Sequence, residues 1–255
     1  MDLNFKTFGQ GDPLVILHGL FGTLDNWQTL GKSWAEFYSV YLIDQRNHGR
    51  SPHLPEINYP VLATDLQAFL ESHWIYKTHL IGHSMGGKTA MQFATSFPDM
   101  VEKLVIIDSA PKKYAGGHQL IFEALFDLDL ANLENREQAD LALQSRIPEK
   151  DVRQFLLKNL TRNKQAPGYS WKMNLPVLFN HYADILANIQ FDQPFEGPCL
   201  FIRGGHSDYI QDQDIDAITR IFPNARLETI AGAGHWVHAE KPKELYQLVS
   251  DFLAE

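Results

Sequence analysis

Short apolar runs alternate with longer segments of helical periodicity along most of the chain. Brief runs rich in Val, Ile and Leu are typical of parallel strands that are buried on both faces. Six such runs are found: Leu14–His18, Ser39–Asp44, Thr78–Gly82, Lys103–Asp108, Pro198–Arg203 and Ala225–Ile230. The helical segments between or after them are Asn26–Phe37, Tyr59–His73, Gly87–Phe97, Gln211–Phe222 and Pro242–Leu253. This alternation predicts an α/β protein with a mostly parallel, doubly wound sheet.

The alternation stops after Asp108, and residues 111–195 contain no convincing strand pattern. Four helical segments are predicted there instead: Gln119–Leu130, Leu133–Arg146, Glu149–Leu160 and Pro176–Ile189. We therefore predict a core domain of residues 1–110 and 196–255 and a helical cap of residues 111–195. Ligands bind at the carboxyl edge of open α/β sheets, which is where this insertion begins and ends. The alternative is that these helices only add packing.

Charge and cysteine content narrow the class of protein. The chain has 255 residues, with 22 basic and 31 acidic residues and a net charge of −9, which argues against nucleic acid and anionic membranes as main partners. The single cysteine, Cys199, excludes an intramolecular disulfide and a cysteine zinc site. No signal-peptide pattern and no apolar run of the ~20 residues needed for a membrane helix is present. We expect a cytoplasmic protein; its oligomeric state is not predicted.

The run Gly82-His83-Ser84-Met85-Gly86 follows a predicted strand and precedes a predicted helix. A G-x-S-x-G sequence at such a junction is typical of a nucleophilic serine on a sharp turn, where the flanking glycines prevent clashes. We therefore predict that Ser84 is a nucleophile. The backbone N–H of Met85, directly after it, is predicted to bind an oxyanion.

A nucleophilic serine needs a base, an acid that orients the base, and a second oxyanion donor. His235 follows the last predicted strand in a glycine-rich loop, and we predict that it is the base. The loop 18–22, His-Gly-Leu-Phe-Gly, is predicted to supply the second donor, with Leu20 preferred and Phe21 as the alternative. Asp108 and Asp208 each follow a strand and precede His235, so the residues alone leave the acid open.

Four motifs together resemble those of the α/β-hydrolases over nearly the whole chain: the loop 18–22, the D-x-R-x-H-G-x-S segment 44–51, the serine motif 82–86, and the histidine segment 232–242. In detail they resemble the bacterial YbfF-type esterases. The resemblance implies an α/β-hydrolase fold with a helical cap inserted after the sixth strand. It also implies that Asp108 is the acid and that Ser207 assists the histidine. In most other α/β-hydrolases the acid would map to Asp208, so Asp208 stays the alternative.

The expected activity is hydrolysis of carboxylic esters or thioesters of small to medium acyl chains through a Ser-His-Asp triad. Carbon–carbon bond hydrolysis and cofactor-free perhydrolysis use the same triad and stay alternatives, whereas a binding module without activity is disfavoured. No cofactor or metal site is expected. The predicted substrate-binding residues are Phe21, Phe122, Phe179 and Tyr182, although each cap aromatic taken alone is more typical of helix core than of a pocket wall. Phe126, Phe155 and Trp171 are aromatic candidates of the same kind.

Overall fold

The computed structural model describes residues 1–164 and 166–255 and has a mixed seven-stranded sheet at its centre. The sheet strands are β1 (Phe5–Phe8), β2 (Asp12–Leu17), β3 (Tyr38–Ile43), β4 (Thr78–His83), β5 (Val101–Ile107), β8 (Cys199–Gly204) and β9 (Ala225–Ile230). Two further strands, β6 (Leu160–Arg162) and β7 (Tyr169–Trp171), form a separate hairpin. The sheet has the order β1-β3-β2-β4-β5-β8-β9, and β1 alone pairs antiparallel. All six predicted strands are confirmed, with small shifts at their ends. The strand β1 was not predicted, because four partly exposed residues carry too little apolar pattern.

Helices pack on both faces of the sheet and above its carboxyl edge. They are α1 (Gln28–Trp34), α2 (Tyr59–Ser72), α3 (Met85–Ser96), α4 (Gln119–Phe126), α5 (Arg136–Leu143), α6 (Lys150–Leu157), α7 (Leu175–Asn180), α8 (Tyr182–Leu186), α9 (Ile215–Ile221), α10 (Val237–Glu240) and α11 (Pro242–Ala254). Short 3-10 turns occur at Leu24–Trp27, Pro98–Met100 and Asp212–Asp214. None of the described helices combines the length and the hydropathy needed to cross a membrane.

Two apolar layers sandwich the sheet. One face carries buried side chains of α2, α3 and α9, including Phe69 and Phe93, and the other carries side chains of α1 and α11, including Trp34 and Phe252. Cys199 in β8 is buried, as its apolar run predicted, and burial raises the pKa of its thiol. Both faces are therefore covered, which is why the central strands are apolar at nearly every position.

The segment between β5 and β8 forms the helices α4–α8, as the pattern predicted, but two details of the prediction were wrong. The short hairpin of β6 and β7 interrupts the helices; strands of three residues are too short to produce a readable pattern. The insertion follows β5, which is the fifth strand and not the sixth among the described residues. In this part of the chain only one strand, the antiparallel β1, precedes the parallel strands β2, β3, β4 and β5. The division into core and cap at residues 110/111 and 195/196 stays a prediction.

The insertion has an apolar core of its own, which includes Phe122, Leu125 and Leu178. This core is continuous with Phe21 and Met85, which lie at the carboxyl ends of β2 and β4. The chain reverses its direction across the sheet between these two strands, since β3 lies on one side of β2 and β4 on the other. Such a switch point is where open α/β sheets form a crevice, and the insertion covers it.

Candidate active site

Ser84 lies in the sharp turn between β4 and α3, with φ of 54° and ψ of −117°. Its N–H donates to the carbonyl oxygen of Ile107 at 3.0 Å, which ties the turn to β5. Two close backbone approaches explain the flanking glycines. A Cβ on Gly82 would lie 2.2 Å from the carbonyl oxygen of Gly86, and a Cβ on Gly86 would lie 2.5 Å from that of Leu17. Any larger side chain at either position would displace the backbone of this turn.

A chain of hydrogen bonds links Ser84, His235 and Asp108 across three loops at the carboxyl edge. Ser84 Oγ lies 3.0 Å from Nε2 of His235, and Nδ1 of His235 lies 2.7 Å from Oδ2 of Asp108. This geometry suits an imidazole that donates from Nδ1 to the carboxylate and accepts at Nε2 from the serine hydroxyl. The structure thus brings together the three residues that the sequence proposed as nucleophile, base and acid.

The carboxylate of Asp108 is fully buried and has three partners. Besides His235, the Ser207 hydroxyl donates to Oδ2 at 2.5 Å and the Gly204 N–H donates to Oδ1 at 3.1 Å. The Ser207 hydroxyl and the His235 imidazole therefore share one oxygen of the same acid.

Asp208, the alternative acid, is exposed. No hydrogen bond joins its side chain to any described residue, and His235 turns its Nδ1 to Asp108 instead. The two aspartates differ because Asp108 directly follows β5 in the middle of the sheet, whereas Asp208 lies four residues beyond the end of β8. The geometry therefore favours Asp108 over Asp208 as the partner of the imidazole.

Three backbone N–H groups near Ser84 have no acceptor among the described residues: those of Leu20, Phe21 and Met85. Met85 begins α3, so its amide is one of the donors that a helix N-terminus leaves free. The turn that carries Leu20 is closed by a bond from Gly22 N to Gly19 O of 2.9 Å. These groups suit the binding of an oxyanion, and the choice between Leu20 and Phe21 stays open.

His18 holds this turn in place. Its Nε2 accepts the N–H of Gln45 at 3.0 Å, so the proton is on Nδ1, which donates to the carbonyl oxygen of Gly19 at 2.8 Å. Burial lowers the pKa of His18 to about 4, which keeps the ring neutral. The neighbouring segment 44–51 contributes a carboxylate, since Asp44 Oδ1 accepts the N–H of Leu24 at 2.8 Å. This motif therefore supports the loop and does not reach the reacting atoms.

Two aromatic rings hold His235: Tyr209 stacks on its ring, and His83 binds its backbone. The ring of Tyr209 stacks on His235 with 3.7 Å between centroids and 17° between planes, and burial raises the pKa of its phenol to about 12. On the other side, Nε2 of His83 donates to the carbonyl oxygen of His235 at 2.9 Å. Burial lowers the pKa of His83 well below its usual value, so it is neutral. Sequence patterns did not indicate Tyr209, because one aromatic residue in a loop has no periodicity or spacing.

Two cavities of about 430 and 250 Å³ open beside Ser84. The larger one has mostly apolar walls from the insertion: Leu120, Ile121, Ile147, Val152, Phe155 and Leu156. The smaller one is also mostly apolar, but its lining includes the amine of Lys88 and the hydroxyl-bearing rings of Tyr59, Tyr114 and Tyr182. Both lie between the sheet edge and the insertion, so together they form a bent space with Ser84 in its middle.

Lys88 places an amine in the smaller cavity. Its Nζ donates to the carbonyl oxygens of Leu186 at 3.1 Å and Ala187 at 2.5 Å, at the end of α8. The ring of Tyr114 lies 4.5 Å away. Burial, followed by repulsion from Lys112, lowers the pKa of Lys88 to about 7. Lys88 therefore links α3, the helix that begins after Ser84, to the end of α8 in the insertion.

The predicted substrate-binding residues divide into two groups. Phe21 lines the larger cavity and Tyr182 the smaller one, but Phe122 and Phe179 line neither. Phe122 is fully buried in an aromatic cluster, 5.0 Å from the ring of Phe21 and 5.4 Å from that of Phe179. Phe122 and Phe179 therefore lie outside both cavities. The sequence did not separate them from wall residues, because an aromatic residue on a helix has the same pattern in a core as in a pocket wall.

The other aromatic candidates divide in the same way. Phe155 lines the larger cavity, whereas neither Phe126 nor Trp171 lines either cavity. His118, which sequence patterns did not indicate, lines both. Its one signal is the pair Gly116-Gly117 before it, with φ of 102° and 142°, which marks an unusual turn. Among residues 1–164 and 166–255, no three His, Cys, Asp or Glu side chains are grouped so as to hold a metal ion.

Comparison with known proteins gives the same family at the level of sequence and structure. A family model described as the alpha/beta hydrolase fold matches residues 12–242. The esterase YbfF of Escherichia coli (strain K12) is 39% identical over 94% of this chain and 92% of its own. The sn-1-specific diacylglycerol lipase ABHD11 of Danio rerio is 40% identical over 99% of this chain and 83% of its own.

A solved structure described as a marine microorganism esterase superposes with a TM-score of 0.96 at 42% identity. The superposition covers 98% of this chain and 99% of that chain. Sequence motifs, sheet order, the serine turn and these relatives all agree. The chain belongs to the alpha/beta hydrolase fold family.

Proposed function

We propose that the protein is a serine-dependent carboxylic ester hydrolase. The observation that carries the proposal is the unbroken hydrogen-bonded series Ser84–His235–Asp108 beside N–H groups that have no acceptor among the described residues. Acyl transfer needs a serine nucleophile, one base that an acid holds in orientation, and hydrogen-bond donors nearby. The names of the esterase and lipase relatives support the same reaction class.

The reaction has two halves. In the first, Ser84 Oγ attacks the ester carbonyl carbon while Nε2 of His235 takes the hydroxyl proton. The Met85 N–H, with that of Leu20 or Phe21, stabilises the oxyanion of the tetrahedral intermediate. The proton then passes from His235 to the leaving alcohol oxygen, and an acyl-serine remains. In the second half, water attacks the acyl-serine with His235 again as base, and the carboxylic acid leaves.

Asp108 keeps the imidazole in the tautomer that accepts at Nε2 and stabilises its charged form. The Ser207 hydroxyl holds the same carboxylate oxygen, so it acts on the reaction through Asp108. We assign Asp108 as the acid and leave Asp208 without a role in the chemistry. No step of this reaction calls on a metal or an organic cofactor.

The two cavities support a division of the substrate at the scissile bond. The larger, mostly apolar cavity suits an acyl chain of small to medium length, because each buried methylene group gains about 0.8 kcal/mol. The smaller cavity, with Lys88 and three tyrosines in its lining, suits the alcohol or thiol part. Oxygen esters and thioesters both fit this scheme, since the same nucleophile cleaves either.

A hydrolysis screen tests the proposal. Purified protein is assayed on p-nitrophenyl and ethyl esters from C2 to C12 and on the matching CoA thioesters, with a phenylmethylsulfonyl fluoride-treated sample as control. We expect saturable hydrolysis with an optimum at small to medium chain length and loss of that activity in the treated sample. Turnover of none of these esters or thioesters above the treated sample would contradict an ester hydrolase.

A further inference from the structure

Four residues line both cavities and so lie where the two meet: Leu20, Ser84, His118 and Tyr209. Any substrate that fills both cavities must place its reacting group at this point, because Ser84 lies there. Leu20 belongs to the oxyanion turn, and Tyr209 stacks on His235. His118 is the only one of the four that comes from the insertion, and the mechanism above gives it no part.

The hydrogen bonds of His118 fix which of its nitrogens carries the proton. The backbone N–H of His118 donates to the hydroxyl oxygen of Tyr182 at 3.2 Å, and the same oxygen lies 2.6 Å from Nδ1 of His118. No other described residue accepts from the Tyr182 hydroxyl, so its proton is directed to Nδ1. Nδ1 is then the acceptor, and the ring carries its proton on Nε2.

The Nε2–H of His118 has no protein acceptor among the described residues. It is on the edge of the ring opposite to Tyr182, and Tyr182 lines only the smaller cavity. The ring packs edge-on against Phe21, in the oxyanion turn, with 5.9 Å between centroids. Burial, and then the nearby His235, lowers the pKa of His118 to about 4, so the ring is neutral at neutral pH. A neutral ring whose Nε2–H has no described acceptor therefore lines both cavities beside Ser84.

We propose that His118 is a substrate-contacting residue whose Nε2–H donates a hydrogen bond to an oxygen of the reacting ester group as the tetrahedral intermediate forms. The proposal rests on the proposed function, because it needs an acyl group on Ser84. No proton is transferred in this contact, since His235 carries the proton between Ser84 and the leaving oxygen. The insertion thus contributes a polar group to the chemistry as well as walls to the pocket.

Two amide substitutions of His118 test the roles of its two ring nitrogens separately. The short amide of His118→Asn can keep the partner of Tyr182 but loses the donor at the far edge, whereas the longer His118→Gln can place an N–H near the position of Nε2. Gln119→Ala, at the next and exposed position of α4, is the matched control. Tyr182→Phe removes the hydroxyl that orients the ring, and it should give a smaller loss than His118→Asn.

The measurement is kcat/KM on short and medium esters, with the inhibition constant of phenylboronic acid, which forms a tetrahedral adduct on a reactive serine. We expect His118→Asn to lower kcat/KM about 10²- to 10³-fold at every chain length, mainly in kcat, as for loss of one oxyanion donor. The boronate should bind more weakly by a similar factor, while His118→Gln recovers much of the loss. Because the ring is neutral above pH 5, the size of the loss should not change from pH 6 to 9.

Equal losses in His118→Asn and His118→Gln, or a loss confined to KM at one chain length, would overturn the role of His118. So would wild-type kcat/KM in His118→Asn. In each of these cases the wild-type protein still hydrolyses esters, so the proposed function stands. Absence of ester hydrolysis by the wild-type protein would overturn both. A melting temperature within a few degrees of the wild type excludes unfolding as the cause of a loss.

Discussion

The imidazole of His235 lies flat against the phenol ring of Tyr209, with 3.7 Å between centroids and 17° between planes. In the proposed reaction this imidazole becomes a cation, and an aromatic face stabilises a nearby cation by about 0.5–2 kcal/mol. Tyr209 is therefore placed to assist the charged form that appears in the transition state, without touching the substrate's reacting atoms.

Replacing the ring should cost activity, whereas removing its hydroxyl should not. We expect Tyr209→Leu to lower kcat about 2- to 30-fold, the range that corresponds to the stabilisation above. Tyr209→Phe keeps the aromatic face and should stay within about 2-fold of wild type. Steady-state kinetics on one ester checks both variants. Equal losses in the two would assign the effect to the hydroxyl and contradict the stacking argument.

The two aspartates should differ strongly when each is replaced. Asp108→Asn leaves the imidazole without its charged partner, and we expect kcat to fall by about 10³–10⁴-fold, as in other Ser-His-Asp enzymes. Asp208→Asn changes an exposed side chain and should stay near wild type. Ser207→Ala should lie between them, because the Ser207 hydroxyl donates to the Asp108 carboxylate and does not itself contact His235. A larger loss in Asp208→Asn than in Asp108→Asn would move the acid to Asp208.

Two phenylalanines of the insertion should report different properties. Phe155 lines the larger cavity, so Phe155→Ala should lengthen the preferred acyl chain by about one or two carbons, given about 0.8 kcal/mol for each buried methylene. Phe122 is fully buried outside both cavities, so Phe122→Ala should lower the free energy of unfolding by about 3–5 kcal/mol without changing chain-length preference. Assays from C2 to C12 and urea unfolding test both. An unchanged chain profile in folded Phe155→Ala would mean that the insertion does not form the acyl pocket.

Buried neutral histidines should make stability depend on pH. Burial lowers the pKa of His18 to about 4, and of His48 and His238 to about 3. Between these values and the unfolded value of about 6.5, the unfolded chain binds more protons, so stability falls as the pH falls. Nδ1 of His238 and Nε2 of His48 have no partner in the described part of the chain, so a proton added there would be unsatisfied.

We expect the free energy of unfolding to decrease from pH 7 to pH 5, with up to about 2 kcal/mol from each of these histidines at pH 5. Urea unfolding at pH 7, 6 and 5 measures the dependence. His238→Phe keeps a ring against Trp27, on which His238 stacks, and should make the dependence less steep by about one histidine's share. His206→Gln, at an exposed position, should leave it unchanged. The same slope in His238→Phe as in wild type would contradict a buried neutral His238.

The sheet, the serine turn and the position of His235 could be predicted because each has a local signal. Buried parallel strands are continuous apolar runs. Gly82 and Gly86 are required because a Cβ on either would lie less than 3 Å from neighbouring backbone atoms. The choice of Asp108 needed the structure, since it depends on which loop end faces His235 across the sheet. Single side chains in irregular segments, such as His118 and Tyr209, have neither period nor spacing. Phe122 and Phe155 both lie on helices, and only the packing shows which one faces a cavity.

The central claim is that Ser84 is the nucleophile of an ester hydrolase. The most direct measurement is reaction of wild type and Ser84→Ala with a fluorophosphonate, followed by intact mass and peptide mapping, beside kcat/KM on one p-nitrophenyl ester. The account predicts one adduct per wild-type chain on the peptide that contains Ser84. It also predicts no adduct in Ser84→Ala, and a kcat/KM lower by several orders of magnitude, about 10³-fold or more. Wild-type turnover in folded Ser84→Ala, or an adduct on another residue, would contradict it.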